Sequence, residues 1–359
     1  MSSLNHIPQF GVLYLGGTIG CTGHPLAPLS ADVFLPQLAA LIESEIETTP
    51  AQSQWHYFSG NIKDSSALVP ADWADSIELL LNPMYAYIRH WIILHGTDTL
   101  AFTAAFLAKT LRGTGLKIVV TGSQLPLLDP IKLTLDPHSD AINNIKTAYS
   151  AFTDTSLPAE GWVRVAFNQQ HWIADSVQKI HTTENAAFSG QIKRNHTYQQ
   201  PINKLHPLTS NPRRLKEALS HLNIQIYYAS PLPLDVLIAQ LEQVLTSGAE
   251  AVILMAYGLG NFPDDLRIHR ALLAAEQQGV LIILTTQVQF GGVESRYAAG
   301  NWLAACGVLS GGALPLPAIF AHLAWVLIMT KTYTERRQLW LKEMGLKAIE
   351  QESNTGFTH

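Results

Sequence analysis

A repeated alternation of strand, turn and helix patterns constrains the fold of this chain more than any other feature of its sequence. Its clearest example is the apolar run at 92–94, which is followed by His95, Gly96 and an alanine-rich segment. A short apolar run of this kind is typical of a strand that is buried on both faces of a parallel sheet. Thr97, Asp98 and Thr99 open the alanine-rich segment, and Thr and Asp are residue types that favour helix N-termini. Polar groups are thus expected at the carboxyl end of a strand, where open α/β sheets bind their ligands.

The same cycle recurs along most of the chain. Such alternation predicts a parallel sheet with helices on both faces. We therefore predict an α/β fold with a larger N-terminal domain, whose parallel sheet is flavodoxin-like or Rossmann-like, and a smaller C-terminal α/β domain. Strands are predicted at 11–15, 116–120, 163–167, 251–255 and 280–285, and helices at 31–47, 141–149 and 234–245.

The length of the chain and its prolines suggest where the two domains meet. A chain of 359 residues is too long for one ordinary core. The periodic pattern weakens between 201 and 233, where several prolines occur. We therefore predict an N-terminal catalytic domain at 1–205, a linker at 206–232 and a C-terminal domain at 233–359.

Composition and charge exclude several classes of protein. The net charge of −5 gives no general attraction to nucleic acid or to an anionic membrane, so we expect neither as a partner. The apolar segment 314–329 contains prolines and is shorter than the ~20 residues of a membrane span, so it predicts a buried helix. With two cysteines and no pattern of a signal peptide at the N-terminus, we expect a cytoplasmic protein.

Further small polar residues follow other predicted strands. The first strand leads into Gly-Gly-Thr-Ile-Gly at 16–20, which carries the hydroxyl of Thr18. This sequence fits neither the dinucleotide fingerprint nor the phosphate loop, so it does not predict a nucleotide site. Asp64, Ser65 and Ser66 follow another predicted strand, and Lys179 lies among small polar and apolar residues.

Taken in order, these motifs resemble the bacterial L-asparaginase family. The resemblance extends from about residue 12 to residue 312, and it is closest to the cytoplasmic type I branch. Each motif alone is common, but their order along the chain is specific. The motifs are Gly-Gly-Thr-Ile-Gly at 16–20, Asp-Ser-Ser at 64–66, His-Gly-Thr-Asp-Thr at 95–99, Thr-Gly-Ser-Gln-Leu-Pro at 121–126, Ser-Asp at 139–140, Lys-Ile-His-Thr at 179–182 and Tyr-Gly-Leu-Gly-Asn at 257–261.

The resemblance implies a threonine amidohydrolase that acts on L-asparagine, with neither a cofactor nor a metal. Thr18 would attack the side-chain amide and form an acyl-enzyme, while Thr97, Asp98 and Lys179 would form a companion relay. Physical chemistry supports these roles, because a threonine hydroxyl needs a nearby base and a lysine serves as a base only after losing a proton. Asp98 would hold Lys179 in place, and backbone N–H groups near Thr97 would stabilise the oxyanion.

The same resemblance implies how the substrate is bound. Asp64, Ser65 and Ser66, together with Asp98, would bind the α-carboxylate and α-ammonium groups of L-asparagine. Asn261 would reach the α-amino end of the substrate from a neighbouring subunit, so the resemblance implies a homodimer or a homotetramer.

The chain departs from the family pattern in the loop after Thr18, and two alternatives stay open. Many members carry an activating tyrosine in this loop, whereas here Leu26 lies nearest that place and His24 is the titratable side chain.

One alternative function is that of the amidase subunit of a transfer-RNA amidotransferase. That subunit normally carries an extra N-terminal domain, whereas about ten residues precede the first predicted strand here. The other is a non-catalytic amino-acid sensor of the same fold, which would not need Thr18 together with the three relay residues.

Overall fold

The computed structural model of the protein describes residues 7–46, 53–193, 206–293 and 298–345. The strands are β1 (Gln9–Gly16), β2 (Cys21–Thr22), β3 (Ala27–Pro28), β4 (Gln54–Lys63), β5 (His90–Leu94), β6 (Lys117–Thr121), β7 (Trp162–Phe167), β8 (Gln170–Ile173), β9 (Gln178–Lys179), β10 (Phe188–Ser189), β11 (Ile224–Tyr228), β12 (Ala251–Ala256), β13 (Leu281–Thr286) and β14 (Leu309–Ser310). The α-helices are α1 (Ala31–Glu45), α2 (Pro70–Leu80), α3 (Leu100–Thr110), α4 (Ala141–Thr153), α5 (Pro212–Ser220), α6 (Leu234–Leu245), α7 (Leu266–Gln277), α8 (Ala298–Ala305), α9 (Leu316–Met329) and α10 (Tyr333–Glu343).

The chain divides into two compact units. The first comprises Met1–Leu222 and Leu314–Ile328, and the second comprises Asn223–Ala313 and Met329–His359. The segment 206–232, which we expected to link two domains, contains α5 and β11. Its prolines suggested a linker, yet Pro212 occupies the first turn of α5, where a missing backbone N–H costs nothing, and the side chain of Asn211 caps that helix. The bounds of the two domains stay a prediction.

The first unit is built on a mostly parallel sheet, as the strand, turn and helix cycle predicts. Its described strands are ordered β4-β1-β5-β6-β7-β8, and all are parallel except β8, which runs antiparallel to β7. The periodic pattern of the sequence did not predict β8. A two-residue turn at Asn168 and Gln169, both with positive φ, reverses the chain there, because its backbone twist matches that of a hairpin.

Apolar side chains cover both faces of this sheet. Helices α1 and α4 pack on one face, where Phe34, Leu38 and Ile42 of α1 are spaced one helical turn apart and are fully buried. Helices α2 and α3 meet through the stacked rings of Trp73 and Phe106. Segment 314–329 forms the buried helix α9, as predicted, and no helix within the described residues is long and apolar enough to span a bilayer.

The second unit has a smaller parallel sheet of its own. Its described strands are ordered β11-β12-β13-β14, and Ile253 at the centre of β12 pairs with Ile226 of β11 and Ile283 of β13. Leu241 of α6 and Leu272 of α7 are fully buried in the core of this unit. The predicted fold class, an α/β protein with a large N-terminal sheet and a smaller C-terminal one, is thus confirmed.

Strand order in the first sheet determines where a ligand can bind. From β1 the chain passes to β4 on one side of β1, and later to β5 on its other side. The direction of winding therefore reverses between β1 and β5, which leaves a crevice outside their carboxyl ends, the usual ligand site of such sheets. The segments that open into this crevice begin at Gly17 and His95.

Candidate active site

Two glycines let the backbones that follow β1 and β5 come into direct contact. A Cβ atom on Gly17 would lie 2.3 Å from the Cα and the nitrogen of Gly96, and Gly17 also has a φ of 87°. A Cβ atom on Gly96 would lie 2.4 Å from the hydroxyl oxygen of Ser65. Larger residues would push these segments apart, so the glycines bring 17–18, 65 and 96–98 to one place in the crevice.

Thr18 begins a short 3₁₀ turn directly after this contact. The turn spans Thr18–Gly20, and the N–H of Gly20 donates to the carbonyl of Gly17 over 3.1 Å. The side chain of Thr18 is half-buried, while Ile19 beside it is fully buried and fixes the turn against the core. The hydroxyl of Thr18 is therefore carried by a short, anchored segment at the switch point of the sheet.

Lys179 joins the side chains of Thr97 and Asp98. Its Nζ donates to Thr97 Oγ1 over 2.9 Å and to Asp98 Oδ1 over 2.7 Å. Lys179 belongs to the short strand β9, whose partner β10 places Phe188 opposite it. Lys179 is 24% exposed and Asp98 58% exposed, whereas Thr97 is buried. The three residues form a continuous network that runs from the interior to the solvent.

Of the three residues that we expected to open the following helix, Thr99 occupies the N-cap position, whereas Thr97 and Asp98 lie before it. Helix α3 begins at Leu100, its N-cap residue is Thr99, and no side chain caps it. Thr97 and Asp98 instead bind Lys179, and the Thr99 hydroxyl donates to the backbone carbonyl of Ser65 over 2.8 Å. The side chains of Thr97, Asp98 and Thr99 therefore form hydrogen bonds within the candidate site and do not cap the N-terminus of α3.

The Asp64, Ser65 and Ser66 segment is fixed against the same cluster. The backbone N–H of Asp98 donates to the hydroxyl oxygen of the buried Ser65 over 3.3 Å. Asp64 accepts from the N–H and the hydroxyl of Ser66 at 2.8 and 2.7 Å, and these bonds lower the pKa of its carboxyl. Ser65 thus touches the backbone of Asp98, while Asp64 and Ser66 are exposed on either side of Ser65.

A second network supports the segment that carries Lys179. The amide nitrogen of the Gln124 side chain donates to the carbonyls of Thr182 and Glu184 at 3.1 and 3.0 Å. The carboxylate of Asp140 accepts a hydrogen bond from the backbone N–H of Gln124 at 3.0 Å. Both the backbone and the side chain of Gln124 are therefore held by hydrogen bonds. The motifs at 121–126 and 139–140 therefore contribute by positioning the chain around Lys179.

Family models match both parts of the chain. A model described as Asparaginase, N-terminal matches residues 10–204, and one described as Glutaminase/Asparaginase C-terminal domain matches residues 234–340. The chain belongs to the asparaginase family. The predicted family and the predicted enzyme class, an amidohydrolase, are thereby confirmed.

Individual members of the asparaginase family resemble the chain over most of its length. It is 27% identical over 332 residues to L-asparaginase 1 of Escherichia coli, covering 88% of this chain and 90% of that one. The crystal structure of L-asparaginase I from Vibrio cholerae has a TM-score of 0.73 and 25% identity, covering 95% and 98% of the two chains. A glutamyl-tRNA(Gln) amidotransferase subunit from Methanobrevibacter smithii is 25% identical over 294 residues, covering 80% of this chain and 66% of that protein.

Of the predicted site residues in this asparaginase-family protein, Asn261 belongs to the other unit. It ends the turn 257–261, where its N–H and its carbonyl exchange hydrogen bonds with Tyr257 at 2.8 and 3.0 Å. Its side chain is exposed. The first unit brings together Ser65, Thr97, Asp98 and Lys179 by direct contact, with Thr18, Asp64 and Ser66 on the adjoining segments.

A buried layer of hydrogen-bonded side chains behind the segment that carries Thr97 was not predicted from the sequence. His95 is fully buried, and its Nε2 lies 2.9 Å from the hydroxyl oxygen of Thr103, which also accepts the indole N–H of Trp73 over 2.9 Å. Burial lowers the pKa of His95 to about 4, so its ring is neutral at neutral pH. The sequence offered one signal for this layer, a histidine within a motif of otherwise small or polar residues. Trp73 and Thr103 gave no such signal, because they lie on separate helices and nothing local in the sequence connects them to His95.

Proposed function

We propose that this protein hydrolyses L-asparagine to L-aspartate and ammonia through an acyl-enzyme on Thr18. The observation that carries the proposal is the pair of hydrogen bonds from Lys179 to Thr97 and Asp98, at the switch point where Gly17 and Gly96 meet. A lysine between a hydroxyl and a carboxylate is an arrangement that moves protons for a neighbouring nucleophile.

Acylation begins with the hydroxyl oxygen of Thr18. It attacks the carbon of the substrate's side-chain amide while its proton passes to the Thr97 and Lys179 relay. Negative charge develops on the former carbonyl oxygen, where we expect the backbone N–H of Thr97 to donate a hydrogen bond. The C–N bond then breaks, the nitrogen takes a proton from the relay and leaves as ammonia, and an ester to Thr18 remains.

Deacylation uses the same relay on a water molecule. The relay removes a proton from the water, the oxygen attacks the ester carbon, and Thr18 recovers its proton as L-aspartate leaves. Lysine serves in this way when its amine has lost a proton, and Asp98 holds that nitrogen at 2.7 Å. The Thr97 hydroxyl, 2.9 Å from the nitrogen, passes the proton between Lys179 and the crevice.

Substrate binding follows from the charges around Ser65. The Ser65 hydroxyl oxygen accepts the N–H of Asp98, so its own proton is available to donate to the substrate's α-carboxylate. The exposed carboxylates of Asp64 and Asp98 suit the α-ammonium group, and the hydroxyl of Ser66 lies beside Asp64. We further propose that Asn261 of a neighbouring subunit completes the α-amino site, which makes a homodimer or homotetramer the active form. An active monomer in sedimentation measurements at assay concentration would contradict this part.

The decisive experiment measures ammonia release from L-asparagine by the purified protein and by a Thr18→Ala variant. We expect release by the wild type alone, with L-glutamine a poorer substrate because one methylene changes discrimination by about 1–3 kcal/mol. Equal rates in the two proteins would end the proposal.

The two alternatives are tested with the same preparation. A component of a transfer-RNA amidotransferase would deliver ammonia to an acylated transfer RNA, an alternative favoured by the similarity to the Methanobrevibacter smithii protein. A sensor would bind L-asparagine without consuming it. We expect hydrolysis that does not depend on added transfer RNA, and we propose the cytoplasm as its location because both cysteines are free.

A further inference from the structure

The buried layer of hydrogen-bonded side chains ends on the peptide that carries Thr97. The side chains of Trp73 from α2, Thr103 from α3 and His95 after β5 are linked in sequence by hydrogen bonds of 2.9 Å each. The other ring nitrogen of His95, Nδ1, lies 2.8 Å from the backbone carbonyl oxygen of Gly96. All three side chains are at most 5% exposed, so water does not compete for these bonds.

Chemistry fixes the direction of every proton in this chain. A carbonyl oxygen only accepts, so His95 Nδ1 carries the proton that is shared with Gly96. Because the ring is neutral, Nε2 is an acceptor and receives the hydroxyl proton of Thr103. An indole N–H only donates, so Trp73 donates to the Thr103 oxygen and holds that hydroxyl in the required orientation.

The backbone of His95 does not need this side chain. Its N–H already donates to the carbonyl of Thr121 over 2.8 Å, which continues the pairing of β5 with β6. What the imidazole adds is a bond to the Gly96 carbonyl. The peptide between Gly96 and Thr97 is planar, so fixing its carbonyl also fixes the direction of the Thr97 N–H.

We propose that His95 and Thr103 are positioning residues that orient the Gly96–Thr97 peptide, so that the Thr97 N–H points at the oxyanion and the Thr97 hydroxyl stays on Lys179. This inference rests on the proposed hydrolysis of L-asparagine. The oxyanion exists in the transition state and not in the bound substrate, so disorder in this donor lowers kcat and leaves KM nearly unchanged.

The test removes the Thr103 hydroxyl and then restores it. Thr103→Val keeps the side-chain shape and deletes the proton donor to His95, while Thr103→Ser keeps the donor. Thr110→Val is a matched control, because Thr110 is also a buried threonine of α3 and its hydroxyl bonds to the carbonyl of Phe106 in its own helix. We expect kcat of Thr103→Val to fall by about 10-fold to 100-fold, as for a small misplacement of a reacting group, with KM within about twofold. Thr103→Ser and Thr110→Val should stay within about threefold of the wild-type kcat.

A spectroscopic measurement tests the same idea without turnover. Nitrogen-15 NMR of histidine-labelled protein should show His95 protonated on Nδ1 in the wild type, with an altered Nε2 resonance in Thr103→Val. Protonation on Nε2, or equal kcat in Thr103→Val and Thr110→Val, overturns the inference. A wild type that releases no ammonia overturns the proposed function and this inference together, whereas an active wild type with an unaffected Thr103→Val overturns the inference alone.

Discussion

Replacing Lys179 by methionine should strongly lower kcat while leaving the protein folded. Lys179→Met removes both bonds of the relay, to Thr97 at 2.9 Å and to Asp98 at 2.7 Å, but keeps an unbranched side chain of similar length. Loss of a positioned base costs about 10²-fold to 10⁴-fold, so we expect kcat to fall by about 10³-fold, or about 4 kcal/mol of activation free energy.

The effect of the same change on stability should be much smaller. The Lys179 and Asp98 side chains are 24% and 58% exposed, and ion pairs with that access to water contribute about 1 kcal/mol or less. Lys146→Met is a matched control, because Lys146 bonds to Glu45 over 2.9 Å and the pair is comparably exposed, at 41% and 37%. Lys146→Met should therefore change the free energy of unfolding by a similar amount and leave kcat unaltered.

A double substitution decides whether the relay acts as one unit. Thr97→Val alone should also lower kcat by about 10³-fold, and the Thr97→Val, Lys179→Met double variant should lower it little further, because members of one catalytic unit lose activity non-additively. The assays are steady-state ammonia release and urea unfolding for every variant. Losses that multiply to about 10⁶-fold in the double variant, or an undiminished kcat in folded Lys179→Met, would refute the shared relay.

The surroundings of the relay lead to three further predictions. Acidification from pH 6.5 to 4 should lower the free energy of unfolding of the wild type, relative to His95→Gln, by about 3 kcal/mol. The reason is that His95 binds a proton near pH 6.5 in the unfolded chain, whereas burial lowers its pKa in the folded protein to about 4. A constant difference between the two proteins in urea unfolding across that pH range would contradict this prediction. Gly17→Ala should destroy activity, because the new Cβ would lie 2.3 Å from backbone atoms of Gly96. Gly23→Ala is the control, because Gly23 has a similar φ but its Cβ would lie 3.6 Å from the Pro25 carbonyl oxygen. It should cost about 1 kcal/mol of stability and remain active. In the loop 21–30, the side chains of His24 and Leu26 are exposed. Leu26→Ala should raise KM with a modest loss of kcat, and His24→Ala should leave both constants unchanged. A ~10²-fold loss of kcat in His24→Ala would instead indicate that His24 acts as a base.

Local patterns in the sequence were enough to identify the class of fold and the edge of the sheet at which several predicted site residues meet. Runs such as 92–94 are apolar at every position, a local property that identifies a strand buried on both faces. Gly17 and Gly96 interrupt the pattern after such strands, and the structure brings the two backbones into contact at these glycines. The order of the motifs then indicated the family, which the matches to both family models confirmed.

Which polar groups meet in the site could not be predicted in the same way. Thr97 is a good helix cap by residue type, and a cap and a hydrogen bond to lysine contribute similar free energies of about 1 kcal/mol, so local chemistry does not choose between them. Its partner Lys179 lies 82 residues away, and strand order brings the two together. The same holds for Trp73 and Thr103, 30 residues apart on different helices, because a contact between crossover elements leaves no periodic signal in either one. Sequence periodicity records which face of an element is buried, whereas the pairing of side chains within a site depends on how the whole sheet is wound.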